Sequence, residues 1–225
     1  YDRLLSSSDY IETEFMILGC DDEFYLTSAL SSCIDFLIKE PSYSSCGGRA
    51  VGFHTKGKEI FGSEMYPKLK DLSLDNNNPF ERIQKHFCDY EVAHLYSVNR
   101  SSNWKIICKY VFEKEYNFFA ALELQIEFLV MVAGKSKIIP AVMWMRNQEE
   151  PPIRGTSPSV SYTARIPKWW FDKRYKEEKQ DFLNRVQRAC NELLKDQSLK
   201  INQKEISILY EIFVNKSLKN NLFQN

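Results

Sequence analysis

The chain reads as an α/β protein of the α+β kind, with a mixed or antiparallel sheet covered by amphipathic helices at its C-terminal end. Three observations predict this. Short alternating or β-branched segments dominate the first two thirds. Two long runs with apolar residues at helical spacing fill the last third. An apolar fraction of 44% over 225 residues is enough to build a sizeable core.

Taken in order, Tyr10 to Gly19 (YIETEFMILG) alternates as a strand does, with Ile11, Phe15 and Ile17 on one side. Asp21 and Asp22 open an apolar-periodic helix in which Phe24, Leu26, Leu30, Ile34, Leu37 and Ile38 recur, and Pro41 ends it. The Ser/Gly-rich SYSSCGGRA reads as a loop, and AVGFHTKGKEIFG as a hairpin turning at Lys56-Gly57. Three asparagines before Pro79 disfavour both helix and strand, which places a division near Asn78: an N-terminal α/β segment, 1–78, and an α+β domain ending in two helices, 79–225. Beyond it, PFERIQKHFCDYEVAHLYSV mixes a short helix with a strand, and Asn103 to Glu115 reads as a strand from its β-branched and aromatic content.

The stretch Leu122 to Asn147 admits two readings. Leu122, Leu124, Ile126, Phe128, Val130 and Val132 alternate with Glu123, Gln125 and Glu127, a period of two that favours a strand. Gly134 to Ser136 is then a turn, and the returning strand, with Pro140 unable to donate, lies at an edge or carries a bulge. On the alternative reading Phe119, Leu122, Ile126, Leu129 and Ala133 share a helical face and Gly134 ends the helix.

The C-terminal pattern is clearer. From Trp169 to Lys195 the apolar positions fall mostly four or seven apart. Asn202 and Glu205 form a capping-box signature at the start of a second helix, which carries Ile206, Leu209, Tyr210 and Phe213 on one face.

Composition bounds function. Thirty basic residues balance thirty acidic ones, so any nucleic-acid role rests on a local patch and not on global charge. No uninterrupted apolar run reaches membrane-spanning length, and YDRLLSSSDY has neither the basic nor the apolar region of a signal peptide, so no membrane role is expected. Six cysteines without a CxxC pair read as reduced thiols, which implies cytoplasm or nucleus. Eight glycines are few for a chain of this length and lean towards a binding protein, because phosphate cradles and mobile active-site loops draw on glycine.

Two groups of residues carry candidate chemistry. His86, Cys88 and His94 are of metal-ligand type, but their spacing matches no recurrent zinc motif and a surface histidine pair beside a buried cysteine is the simpler reading. In RIPKWWFDKRYKEEK, Trp169 and Trp170 stand among Arg165, Lys168, Lys173 and Arg174. Adjacent tryptophans at a helix start are not expected to face inward together. One is left to anchor a partner, with Lys173, Arg174 and Arg165 beside it.

Each reading of Leu122 to Asn147 resembles a family. With a strand there, residues 103–195, including IIPAVMWMRN, a further strand at SVSYTARI and the helical FLNRVQRACNELL, are similar to RWD-like domains of the kind found in a subunit of the THO mRNA-export complex, which implies a nuclear, RNA-linked adaptor. With a helix there, ELQIEFLVMVAG resembles the glutamine-bearing helix of lambda-exonuclease-type, restriction-endonuclease-like enzymes. That resemblance implies Gln125 in a site with an aspartate, a Glu-x-Lys and magnesium. The sequence departs from the pattern, because FEKEY has Glu115 where lysine belongs, so a site would have to be rebuilt from Glu113, Glu115 and Lys109. The expectation is therefore a non-enzymatic protein-interaction module of an intracellular complex, without a cofactor, binding through Trp169, Trp170 and the strand around Pro140. The alternative is a metal-dependent nuclease or its inactive relative bound to nucleic acid.

Overall fold

The computed structural model describes the backbone of all residues except 1, 20–22, 71, 93, 119, 149–161, 196–198 and 223–225, and side chains except also those of residues 2, 3, 162–165 and 217–222. Its helices are α1 (Asp2–Asp9), α2 (Thr27–Lys39), α3 (Pro79–Cys88), α4 (Ser101–Val111), α5 (Ala120–Ala133), α6 (Tyr162–Phe171), α7 (Lys176–Leu193) and α8 (Gln203–Leu222). The strands are β1 (Phe15–Met16), β2 (Glu23–Tyr25), β3 (Tyr43–Lys56), β4 (Glu59–Met65), β5 (Ser73–Leu74), β6 (Val98–Arg100) and β7 (Lys135–Asn147). They form one mixed sheet in the order β1-β6-β3-β7-β2, with β4 on the far half of β3 and β5 on β7. An α/β fold with helices packed on a mixed sheet is what the residue patterns predict.

The two long strands, β3 and β7, run parallel at the centre of this sheet. Parallel neighbours need a long crossover, and here it holds α3, α4 and α5. Strands from both sides of Asn78 therefore share one sheet, and Asn78 itself caps α3, its side chain accepting from the Phe80 N–H at 2.9 Å. β3 begins in the Ser/Gly-rich segment expected to be a loop. The small residues are there because the neighbours are close: a Cβ on Gly47 would stand 2.5 Å from Ser97 Oγ, and Ser45 Oγ donates to Ser136 Oγ at 2.7 Å. The register of β3 against β7 jumps from Gly47 and Ile138 to Arg49 and Val142. Pro140 occupies that bulge, where its missing N–H breaks no ladder bond. The hairpin turn at Lys56-Gly57 is present, with Gly57 at φ 65° and Lys56 opposite Glu59.

Three expected strands are shorter or absent, and a fourth is in part helix. Of Tyr10 to Gly19 only Phe15–Met16 pairs. Asn103 to Glu115 is mainly α4, because Trp104, Ile107, Cys108 and Val111 lie at helical spacing and all are buried. Leu122 to Val132, for which alternation favoured a strand, is helix α5. The alternation misleads because it implies a wet side, and α5 has none: every residue from Ala120 to Val132 is buried, Glu123, Gln125 and Glu127 included. A helix enclosed all round has no polar face to reveal its period. Of the segment Ser159 to Ile166, expected as a further strand, Tyr162 onward is in α6 and the rest lies outside the described residues.

Helices α3, α4, α6 and α7 surround α5, and α8 packs on α3, α6 and α7. On the sheet, α2 covers one face, its Cys33 Sγ 3.8 Å from Met143 Sδ, while Trp144 on the opposite face meets Tyr66 and Tyr96. The C-terminal end of α5 is held by Arg82 of α3, whose guanidinium donates to the Met131 carbonyl at 2.9 Å and to the Val132 carbonyl at 3.4 Å. These are carbonyls that a helix end leaves without partners. Burial pulls the Arg82 guanidinium down to about 10, still charged at neutral pH. The capping box of α8 forms as expected, with Asn202 Oδ1 accepting from the Glu205 N–H at 3.0 Å and Glu205 Oε2 from the Asn202 N–H at 2.9 Å.

The expectation that Trp169 and Trp170 cannot both face inward is wrong. Each is only 2% exposed. Neighbours on a helix point about 100° apart, and α6 is covered on more than one side. The Trp169 ring stacks on Phe118 and its Nε1–H donates to Glu178 at 2.6 Å, while Trp170 packs on Tyr210 with the Lys179 ammonium over its ring. Replacing Arg82 with Ala should lower unfolding free energy by about 2 kcal/mol or more, because buried carbonyls lose their donor. Denaturant titration checks this, and a loss under about 0.5 kcal/mol would remove Arg82 from the account.

Candidate functional site

The residues singled out for nuclease chemistry do not converge. Lys109, on α4, pairs with Glu192 at 2.7 Å, and Glu113, just past the end of α4, pairs with Arg188. Glu115 is exposed in the following turn, and Gln125 is in the core, where it accepts from the Tyr116 hydroxyl at 3.0 Å. The strand expected to carry the acids is a helix, so no sheet presents them together. Of the expected partner-binding set, both tryptophans are covered. Arg174 is exposed and held by Asp172 at 2.6 Å, an interaction that draws the Asp172 carboxyl down to about 2. Lys173 is exposed, and the side chain of Arg165 lies outside the described residues.

The metal-type residues behave differently. His86 and His94 come together in the core, but Cys88 is not with them. Two residues on in α3 it points roughly 200° away, into a surface cavity beside Leu74 and Asp75. Its place is taken by Glu127, from the middle of α5. His86 lies on the buried face of α3, and His94 in the connection between α3 and β6. All three side chains are at most 1% exposed.

Glu127 joins these elements through both carboxylate oxygens. Oε1 accepts from the backbone N–H groups of His94 and Leu95 at 2.8 and 2.9 Å. Oε2 lies 2.8 Å from His86 Nε2 and 2.8 Å from His94 Nδ1. The two imidazoles meet edge to face, 4.7 Å between ring centres. Burial by itself would raise the Glu127 pKa, but the imidazoles of His94 and His86 outweigh it and hold the carboxyl far below the usual range. His86 is also held below its ordinary value: burial lowers its pKa, Glu127 only partly opposes this, and His94 adds to the lowering.

A neighbouring cavity of about 370 Å³ is lined by Tyr66, Tyr90, Tyr96, Glu123 and Arg146. It adjoins the centre through Tyr90, whose ring lies 5.3 Å from that of His86 and whose hydroxyl donates to Glu123 at 2.9 Å. Arg146 stands over the rings of Tyr96 and Trp144 and pairs with Glu23.

A second feature is on the surface. All but the last residue of β4 is exposed, and among the described residues no strand pairs with its outer edge. Ile60 is 72% exposed, Phe61 42% and Phe24 of β2 56%. By register Ile60 shares a sheet face with Phe53, whose ring lies 5.9 Å from that of Phe24; Phe61, on the other face, stacks on His54 at 5.5 Å.

No protein-family model matches the chain, and no curated relative does either. No helix among the described residues is long and apolar enough to cross a membrane.

Sequence reasoning missed Glu127 because the period-two reading placed it in solvent. The signal was present nonetheless, since on the helical reading an acid in LELQIEFLVMVA has no polar side to occupy. Acid should destabilise the metal-free fold, and the sign follows from both groups. His86 binds its proton more readily in the unfolded chain, so stability falls as the pH drops below about 6.5. Glu127 contributes stability that is complete above its unfolded pKa near 4.5 and is lost as the pH falls through its depressed folded value. Glu127→Gln should cost about 3–5 kcal/mol at pH 7, because it removes the charged partner of a buried pair. Urea titrations in a chelator between pH 7 and 5 check both statements. A fold equally stable at both pH values, or a Gln variant matching wild type, would contradict them.

Proposed function

We propose that the chain is a non-enzymatic protein-binding module, a subunit or adaptor of a larger intracellular assembly, that takes an extended partner segment along the open edge of β4. The observation that carries this reading is that edge. Natural sheets blunt their edges with lysine, proline, bulges or a covering element, because an open row of amides and carbonyls templates another strand. β4 has no lysine, proline or bulge within its span and its two acids, Glu59 and Glu64, lie towards its ends, while it adds Ile60, Phe61 and, on the adjoining surface, Phe24.

An added strand gains main-chain hydrogen bonds from the edge and specificity from pockets for alternate side chains. On this edge the matching partner presents apolar residues at every second position, facing Ile60 and Phe53 on one side of the sheet and Phe61 on the other. Of the charged residues at hand, Glu59, Lys56 and Lys58 lie at the hairpin tip and Glu64 is paired with Arg49, so they set register more than affinity. The described cysteines are unpaired thiols, four of the five buried, which fits a reducing compartment such as cytoplasm or nucleus.

Amide hydrogen exchange on a complex captured by affinity purification tests the reading. Exchange should slow across Glu59–Met65, and the double change Ile60→Lys, Phe24→Lys should weaken binding at least tenfold while leaving stability within about 0.5 kcal/mol, as exposed sites do. Undiminished binding by that variant, or protection confined to another surface, would refute it.

A further inference from the structure

We propose that His86, His94 and Glu127 form a binding site for one divalent transition-metal ion, zinc or an ion of similar ligand preference, that ties α3, the 89–97 connection and α5 together. The donors are the kinds such ions take, two imidazole nitrogens and one carboxylate oxygen. They come from three separate elements, and one donor atom from each lies within 4.8 Å of the others.

The spacing is close to what an ion requires. Glu127 Oε2 lies 2.8 Å from each nitrogen, whereas donors about 2.1 Å from a common tetrahedral ion stand ~3.4 Å apart. Side-chain rotations that open each of these separations by roughly 0.6 Å admit the ion. The carboxylate is oriented for this: the His94 and Leu95 N–H groups hold Oε1 at 2.8 and 2.9 Å and leave Oε2 turned to the imidazoles. Metal-bound carboxylates characteristically have such outer support.

Charge favours the same conclusion. The fully buried Glu127 carboxylate brings negative charge between the two imidazoles, and a divalent cation complements it. Arg82, the buried cation of α3, is committed to carbonyls at the end of α5 and in the Asn76-Asn77 turn. Three protein donors leave the fourth position of a tetrahedral ion to water or an exogenous group.

The test uses the full chain, stripped with chelator and titrated with Zn²⁺ and Co²⁺. One ion should bind per chain, raising the melting temperature by about 5 °C or more at a hundredfold excess over Kd, and Co²⁺ should give a visible ligand-field spectrum that Zn²⁺ abolishes. His86→Ala and His94→Ala should lose both responses, and Cys88→Ser should keep them. If a histidine variant does not fold, the wild-type spectrum and stoichiometry still decide the matter. The proposal is overturned if the wild type shows no metal-dependent shift or spectrum, if the responses survive loss of both histidines, or if they vanish in Cys88→Ser.

Discussion

A carboxylate in the centre of an apolar helix is the constraint around which this fold is arranged. Glu127 is fully buried, and an unpaired charge there would be prohibitive. The connection between α3 and β6 therefore folds inward until His94 and Leu95 present their amides to it, and α3 turns its His86 face towards α5. The path so fixed delivers β6 to the sheet. Asn99, in β6, donates to the His94 and Ser97 carbonyls at 3.3 and 2.8 Å, and β6 in turn pairs with both β1 and β3. One side chain thus connects the helical layer to strands some thirty residues away in sequence.

The other end of α5 shows the same logic with the opposite charge. Arg82 covers carbonyls of its last turn, and Gly134 follows so closely on β3 that a Cβ there would stand 2.9 Å from Ser44 Cβ. With no room for a loop, the chain passes from α5 directly into β7. That short junction sets β7 parallel to β3, and the bulge at Pro140 then absorbs the mismatch in register.

What was legible in the sequence was local. The hairpin at Lys56-Gly57, the capping box at Asn202 and Glu205, and the amphipathic run of α7 depend on neighbours a few residues apart. Tertiary enclosure hid the remainder. In α5 the polar residues face other elements, so their spacing reports partners such as Tyr90, Tyr116 and His86 rather than solvent. In α6 two adjacent tryptophans both find cover, and in β3 serine and glycine serve close strand approach instead of a turn. His86 and His94 could be named as ligand-type residues in advance. Their third member, forty residues on, could be recognised only once α5 was known to be a helix.

The open edge of β4 and the buried centre are separate features, one facing partners and the other holding the layers together. The state of Glu127 bears most directly on the account. Its side-chain carboxyl ¹³C resonance, followed in the folded metal-free protein as the pH is lowered from 7 towards 4.5, should keep the chemical shift of an ionised carboxylate throughout. A resonance that titrates at or above the ordinary glutamate pKa would contradict the account, because an uncharged Glu127 could not impose the path of the connection to β6.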